Sequence, residues 1–311
     1  MIRLSRIAAL VATSCLLATA AQAKELKSVG VTLGSLGNPF FVAISKGAEA
    51  KARQINPKVR FMASSADYDL NKQVSQIDNF LSAGVDLILI NAVDPKAIAP
   101  AIERARKAGV VVVAVDAGAD GADAVVSTDN VRAGALACEY IVKALNGKGS
   151  VIIQNGPPVT AVTDRVKGCK SVFGKAKDIQ LLSDDQDAKA SREGGLNVMQ
   201  THLTRFPKID AVFAINDPQA VGSVLAAKQL GRKGIVITSV DGAPDIEQAL
   251  RGDTLVQASA SQDPWGMAQK AVEVGADLLN GKKPANPTIL LEPRLVTRDN
   301  IKDYKGWGAQ R

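Results

Sequence analysis

Asp86-Leu87-Ile88-Leu89-Ile90-Asn91 has a counterpart in the second half of the chain, Asp210-Ala211-Val212-Phe213-Ala214-Ile215-Asn216. Each is a short apolar run closed by an asparagine. The runs that follow also match. Residues 110–115 lead into Asp116-Ala117-Gly118, and residues 235–240 lead into Asp241-Gly242-Ala243. Runs that are apolar at every position suit strands covered on both faces, as in a parallel sheet packed between helices. Further strand candidates lie at 28–33, 59–63, 149–154 and 254–260. Ala-, Lys- and Gln-rich stretches such as 41–54, 70–83 and 96–108 separate the strands and read as helices. The alternation predicts an α/β protein of two doubly wound parallel-sheet lobes with right-handed crossovers.

The repeat also points to a site. Each half places an Asn and an Asp at the carboxyl ends of successive strands, the edge where open parallel sheets bind ligands. Two such edges facing one another make a cleft lined by Asn91, Asp116, Asn216 and Asp241. The competing reading is that these residues only start turns and cap the helices that follow. Four of them at matching places in two halves favour the cleft. After the first strand comes Gly34-Ser35-Leu36-Gly37-Asn38-Pro39-Phe40-Phe41, which is neither the dinucleotide fingerprint nor a phosphate-cradling P-loop. Adjacent helical residues point about 100° apart, so Phe40 and Phe41 do not share one core stripe. At least one is free to face the cleft; the alternative is that both staple the helix to the sheet. An aromatic ring packs on the aliphatic face of a sugar, while carboxylates and amides pair with its hydroxyls.

The rest of the chain bounds the possibilities. Arg3 and Arg6 precede an uncharged stretch ending in Ala21-Gln22-Ala23, the pattern of a cleavable signal peptide over 1–23. Cys15 raises the alternative of a lipid anchor, set against the stronger Ala-x-Ala site. The apolar run is shorter than the roughly 20 residues of a membrane-spanning helix. The net charge of +7 is spread rather than clustered, which argues against a nucleic-acid partner. Cys138 and Cys169 fall in helical contexts and read equally as buried free thiols or as a disulfide. Asp67-Tyr68-Asp69-Leu70-Asn71 begins like a calcium loop but has Lys72 and Asp78 where that loop needs Gly and Glu. It reads instead as a strand-to-helix loop with capping side chains. His202, the only histidine, reads as a surface helix residue, and Asp184, Asp185 and Asp187 read as a solvated acidic loop. No nucleophile–base pair, cofactor fingerprint or metal cluster emerges, so neither an enzyme nor a bound cofactor or metal is expected.

Asn38-Pro39-Phe40-Phe41, Leu89-Ile90-Asn91, Val115-Asp116, Ser127-Thr128-Asp129-Asn130, Gly195-Leu196-Asn197-Val198-Met199-Gln200, Phe213-Ala214-Ile215-Asn216-Asp217, Val240-Asp241-Gly242 and Gln262 together resemble the type I periplasmic binding proteins, in particular the ribose-binding protein-like sugar binders. The resemblance covers nearly all of the chain after the signal peptide. It implies two lobes joined by a three-strand hinge, 24–127 with 262–292 and 128–261 with 293–311, closing over one sugar or polyol. It also implies ligand contacts from Asn38, Phe40, Phe41, Asn91, Asp116, Asn216, Asp241 and Gln262. By the same resemblance the protein is a periplasmic monomer that serves an ABC permease and its ATPase. Presentation of ligand to a chemoreceptor or sensor kinase, or a hydrolase or isomerase on the same fold, are the alternatives. A transcription regulator of this architecture would need an N-terminal helix-turn-helix where the signal peptide stands. The ribose binders have an Arg where Ala117 stands, a second pocket Arg at the place of Thr163, with Arg165 close by, and an aromatic at the place of Ala190. Those departures argue against carrying over the ribose pose. Trp265 and the loop Gly156-Pro157-Pro158 are candidate substitutes for the missing contacts.

Overall fold

A computed structural model describes residues 24–307; the expected signal peptide, with Cys15, lies outside the described residues. The first half runs β1 (Ser28–Leu33), α1 (Pro39–Ile55), β2 (Arg60–Ser65), α2 (Leu70–Ser82), β3 (Leu87–Ile90), α3 (Ala99–Lys107), β4 (Val111–Val115) and β5 (Ala124–Thr128). The second half repeats the plan with α4 (Asn130–Ala144), β6 (Lys148–Gln154), α5 (Thr160–Phe173), β7 (Asp178–Ser183), α6 (Arg192–Arg205), β8 (Ala211–Ala214), α7 (Asp217–Gln229), β9 (Val236–Asp241), α8 (Pro244–Arg251) and β10 (Val256–Ser261). The chain ends with α9 (Pro264–Leu279), β11 (Thr288–Leu291), β12 (Arg294–Thr297) and a short 3-10 turn, Ile301–Asp303.

These strands form two six-stranded sheets, ordered β11-β5-β4-β3-β1-β2 and β12-β10-β9-β8-β6-β7. All pairings are parallel except that of β10 with β12. The two lobes thus share one strand order, and in each the order reverses at the same step, between β1 and β3 and between β6 and β8. A doubly wound sheet opens a crevice at that step. The chain crosses between the sheets three times: from β5 into α4, which packs on α5; from β10 into α9, which packs on α1; and from β11 to β12.

The apolar runs read from the sequence are all strands, and they are buried as expected. Leu87, Ile88, Leu89 and Ile90 are fully enclosed. Alternate residues feed two core layers, one under α1 and α9 and the other under α2 and α3. The second sheet is covered in the same way, by α4 and α5 on one face and by α6, α7 and α8 on the other. Four strands, β5, β7, β11 and β12, were not anticipated. β7 and β11 are half-exposed sheet edges of mixed polarity, and β12 is an edge strand of four residues.

One open alternative is settled and one reading needs correction. Cys138 and Cys169 are joined in a disulfide, with their Cα atoms 5.2 Å apart. Glycines on both helices allow that approach. A Cβ on Gly134 would stand 2.0 Å from the Arg165 carbonyl oxygen, and one on Gly168 would stand 2.0 Å from that of Val131. His202 is buried rather than on the surface, because it lies on the stripe of α6 that also buries Met199 and Leu203. Its ring stacks on Phe206 at 6.0 Å, neither ring nitrogen has a hydrogen-bond partner, and burial lowers its pKa.

Candidate functional site

The sequence repeat becomes a spatial one in the cleft between the lobes. Asp116 follows β4 and Asp241 ends β9, and both sit at positive φ, 67° and 132°. Non-glycine residues are uncommon in such backbone, and where it departs from the left-handed helical region, as at Asp241, the surrounding structure must hold it. An amide meets each carboxylate. Asn91 Nδ2 donates to Asp116 Oδ2 at 2.9 Å, and Gln262 Nε2 donates to Asp241 Oδ1 at 2.7 Å. Asn91 is fixed in turn by Gln73 of α2, whose Nε2 donates to the Asn91 carbonyl at 2.9 Å. Beneath Asp241, Asp217 gathers the Ser239 and Ser259 hydroxyls and the Ala243 amide at 2.5, 2.7 and 2.6 Å.

Arg165 joins the lobes' charges. It is 4% exposed; its Nε donates to Asn130 Oδ1 at 2.8 Å, and its Nη1 donates to the Ile215 carbonyl at 2.9 Å and to Asp241 Oδ1 at 3.4 Å. Asn130 Nδ2 donates to Ser127 Oγ at 3.2 Å, and that hydroxyl donates to the Asp116 carbonyl at 2.5 Å. A continuous chain of hydrogen bonds therefore runs from Asp116 through the first crossing to Asp241. Burial pushes the Asp116 carboxyl up to about 6 against the pull of Arg165, with Asp241 adding to the rise. Burial likewise raises Asp241 to about 6, opposed by Arg165 and by the Gln262 hydrogen bond. Asp217 lies well above the usual carboxylate range, chiefly from burial and then from the charge of Asp241.

The expected residues line one cavity. Asn38, Phe40, Phe41, Asn91 and Asp116 from the first lobe face Asn216 and Asp241 from the second around a space of about 30 Å³. Gln262 stands behind Asp241 and is not part of the lining. Phe40 and Phe41 are both buried, edge to face at 5.6 Å, and both serve the core and the cavity wall. Capping and lining also coincide. Asn38 caps α1 by accepting from the Phe40 amide at 3.0 Å, and Asn216 caps α7 by accepting from the Gln219 amide at 3.1 Å. Asn216 Nδ2 donates to the Ala190 carbonyl at 3.0 Å. The one polar atom of these residues that is buried in the lining without a partner is Asp116 Oδ1. An acceptor so placed fits a hydroxyl donor.

Other expectations move. Thr163 is exposed and Arg165, two residues on, enters the cavity. Trp265 is not in the lining; its backbone carbonyl packs where a Cβ on Gly47 would stand, 2.8 Å away. The tryptophan beside the site is Trp307, whose ring meets Phe40 at 5.6 Å while its Nε1 donates to the Asp241 carbonyl at 3.0 Å. Gly156, Pro157 and Pro158 stay outside, and the lining begins at Val159. Tyr68, passed over as part of a capping loop, lines the cavity opposite Ala190. As a calcium site that loop is already spent: Asp69 caps α2, and Asp67 pairs with Lys72. The lobes touch across the cleft, where the Gly118 amide donates to Thr160 Oγ1 at 2.7 Å.

Comparison with known proteins agrees with this architecture. The family model for the periplasmic binding protein domain matches residues 29–283. The chain is 34% identical over 264 residues to the ribose import binding protein RbsB of Bacillus subtilis (strain 168), covering 84% of each. It is 28% identical over 293 residues to a xylitol-binding protein of Mycolicibacterium smegmatis, covering 93% of this chain and 82% of that one. Among solved structures, an ABC transporter solute-binding protein of Bacillus halodurans C-125 with bound myo-inositol superposes with a TM-score of 0.82. It is 26% identical, over 90% of this chain and 97% of that one.

Proposed function

Because the chain belongs to the periplasmic binding protein family, we propose that it captures a small sugar or polyol between its lobes and delivers it to the permease of an ABC importer. The observation that carries the reading is the paired strand-end apparatus: one aspartate at positive φ per lobe, each held by an amide, facing a cavity walled by two phenylalanines. Asp116 and Asp241 accept ligand hydroxyls, Asn91 and Arg165 donate, and Phe40 and Phe41 cover the aliphatic face. Asn38, Asn216 and Gln262 complete the set. The names of its relatives, for ribose, xylitol and myo-inositol, fit a compact polyhydroxylated ligand. Ala117 and Ala190 remain reasons not to transfer a ribose pose.

The mechanism is a hinged trap. The first lobe comprises 24–127 with 262–292 and the second 128–261 with 293–311, so the crossings at 128, 262 and 292 form the hinge. A cavity of about 30 Å³ has room for only two or three water molecules, so the lobes must part for a sugar to enter. Ligand then favours closure only by its extra contacts in the closed state. Segment 1–23 directs export and is removed, and the mature chain works in the periplasm as a monomer that binds without turnover. Its partners are the permease, which reads the closed form, and a cytoplasmic ATPase.

A thermal-shift screen against D-ribose, xylitol, D-allose and myo-inositol tests the reading, since a ligand of the folded state raises the melting temperature. Asp116→Asn and Asp241→Asn should each weaken binding by a factor of tens, from about 1.5–3 kcal/mol per charge-assisted bond. Near-wild-type affinity in both variants refutes the site; a product released from any of these compounds refutes a pure binder.

A further inference from the structure

Tyr68 is held in the cleft by the loop that joins β2 to α2. Asp67 and Tyr68 are consecutive non-glycine residues at φ 51° and 57°, a conformation that side chains other than Asn, Asp and His seldom adopt. The loop is braced from several directions. The Tyr68 amide donates to the Gly34 carbonyl at 3.0 Å, the Ala66 amide donates to the Leu33 carbonyl at 2.8 Å, and Asp67 is tied to Ser65 and Lys72. Strain maintained at this expense is characteristic of positions where a side chain must be aimed.

The ring is aimed between the lobes. It meets Phe41 edge to face at 6.5 Å and packs against core residues of both halves of the molecule. Gly34 is what gives it room. A Cβ there would lie 3.0 Å from Tyr68 Cε1, 3.0 Å from Asn91 Oδ1 and 3.2 Å from Phe41 Cζ. The same ring lines both the inner cavity and the larger mouth of the cleft, with Ala190 opposite. At this level of the cleft the second lobe presents only the small Ala190 side chain, and Tyr68 supplies the bulk of the wall. Burial raises the Tyr68 phenol above its ordinary pKa, with the charges of Asp116 and Asp241 adding to the effect, so it stays a neutral donor.

We infer that Tyr68 sets the size limit of this cleft, confining it to uncharged polyhydroxylated ligands of about three to five carbons. The inference rests on the solute-capture reading above and deepens it. An anionic ligand is disfavoured because two carboxylates face the cavity against a single guanidinium, which already pairs with Asp241. A six-carbon ring has to displace the Tyr68 wall, and a pocket that lacks room for an added group rejects it by roughly 10–200-fold.

The test is calorimetric titration of the mature protein with glycerol, erythritol, xylitol, D-ribose, D-allose and myo-inositol. Tyr68→Asn and Tyr68→Phe are compared with wild type, and folding is checked by circular dichroism. Asn tolerates the left-handed backbone, so Tyr68→Asn removes the ring without opposing the turn. Wild type should bind at least one compound of three to five carbons about tenfold or more tighter than D-allose and myo-inositol. Tyr68→Asn should erase that preference, and Tyr68→Phe should keep it. Six-carbon ligands bound by wild type as tightly as the smaller ones overturn the inference. So does a preference that survives in Tyr68→Asn, or a uniform loss across the panel in that variant. Wild type that binds no compound in the panel overturns the solute-capture reading itself, a distinct outcome.

Discussion

Replacing Arg165 by Met removes the one guanidinium in the cavity while roughly keeping its volume. The side chain is 4% exposed and makes three hydrogen bonds. Breaking a buried pair by deleting one partner costs about 3–5 kcal/mol, because the other charge is left uncompensated. That cost should depend on pH. Asp116 and Asp241 carry folded-state pKa values raised to about 6 from 3.8. Raised carboxyl values mean that the folded state holds its protons more tightly than the unfolded chain does. Their stabilisation is therefore complete below about 3.8 and is lost as the pH climbs through about 6. At pH ~7 both groups are largely ionised in wild type, and the variant must either leave them uncompensated or take up protons to neutralise them. At pH ~5 they are largely protonated, and the loss shrinks to that of the Ile215 and Asn130 acceptors left unpaired, about 1–3 kcal/mol. Urea denaturation of wild type and variant at the two pH values measures the difference, which should be about 2 kcal/mol larger at the higher pH. An equal loss at both would refute the view that Arg165 compensates these carboxylates.

The other predictions are structural. Cys138→Ala with Cys169→Ala opens a loop of sequence separation 31 and should cost about 3–4 kcal/mol by urea denaturation; no loss would show that helix packing alone holds α4 to α5. Gly168→Ala puts a Cβ 2.0 Å from a backbone oxygen. It should destabilise by about 3 kcal/mol or more, read as a lowered melting temperature. His202 titrates below its ordinary value through burial, so its contribution is present above about 6.5 and lost as the pH falls through the lower folded value. His202→Phe should therefore be less acid-sensitive than wild type as the pH falls below about 6.5, and an unchanged profile would show that the ring does not titrate in the fold.

The features legible in the sequence share a cause. Leu87–Ile90 and Ala211–Ala214 are buried on both faces, so no polar residue interrupts their pattern. Asn91, Asp116, Asn216 and Asp241 lie at or just past the ends of their strands, which makes the cleft readable from strand ends. The residues that escaped owe their places to tertiary contact. Arg165 enters the cavity because Gly134 and Gly168 let α4 and α5 approach closely enough for Asn130 to reach it, and no local pattern separates it from Thr163. Tyr68 depends on two left-handed residues and on the gap at Gly34. Trp307 reaches the site from the far end of the chain. His202 had a readable signal, since Met199 and Leu203 flank it on one helical stripe, but its polarity masked it.

The bond between Arg165 and Asn130 bears on the energetics of opening. Asn130 stands at the first crossing, beside the Asp129 amide that donates to the Leu291 carbonyl at 2.9 Å, so the guanidinium is moored close to the crossings that the proposal makes the hinge. Asp241 and the Ile215 carbonyl lie on its own side. In the opening that the hinged-trap proposal requires, the cation and its nearest anion would stay together, and only Asp116 would be carried off, into water that solvates it. On that proposal opening would strand no buried charge, and the electrostatics of the cleft would not lock the unliganded molecule shut.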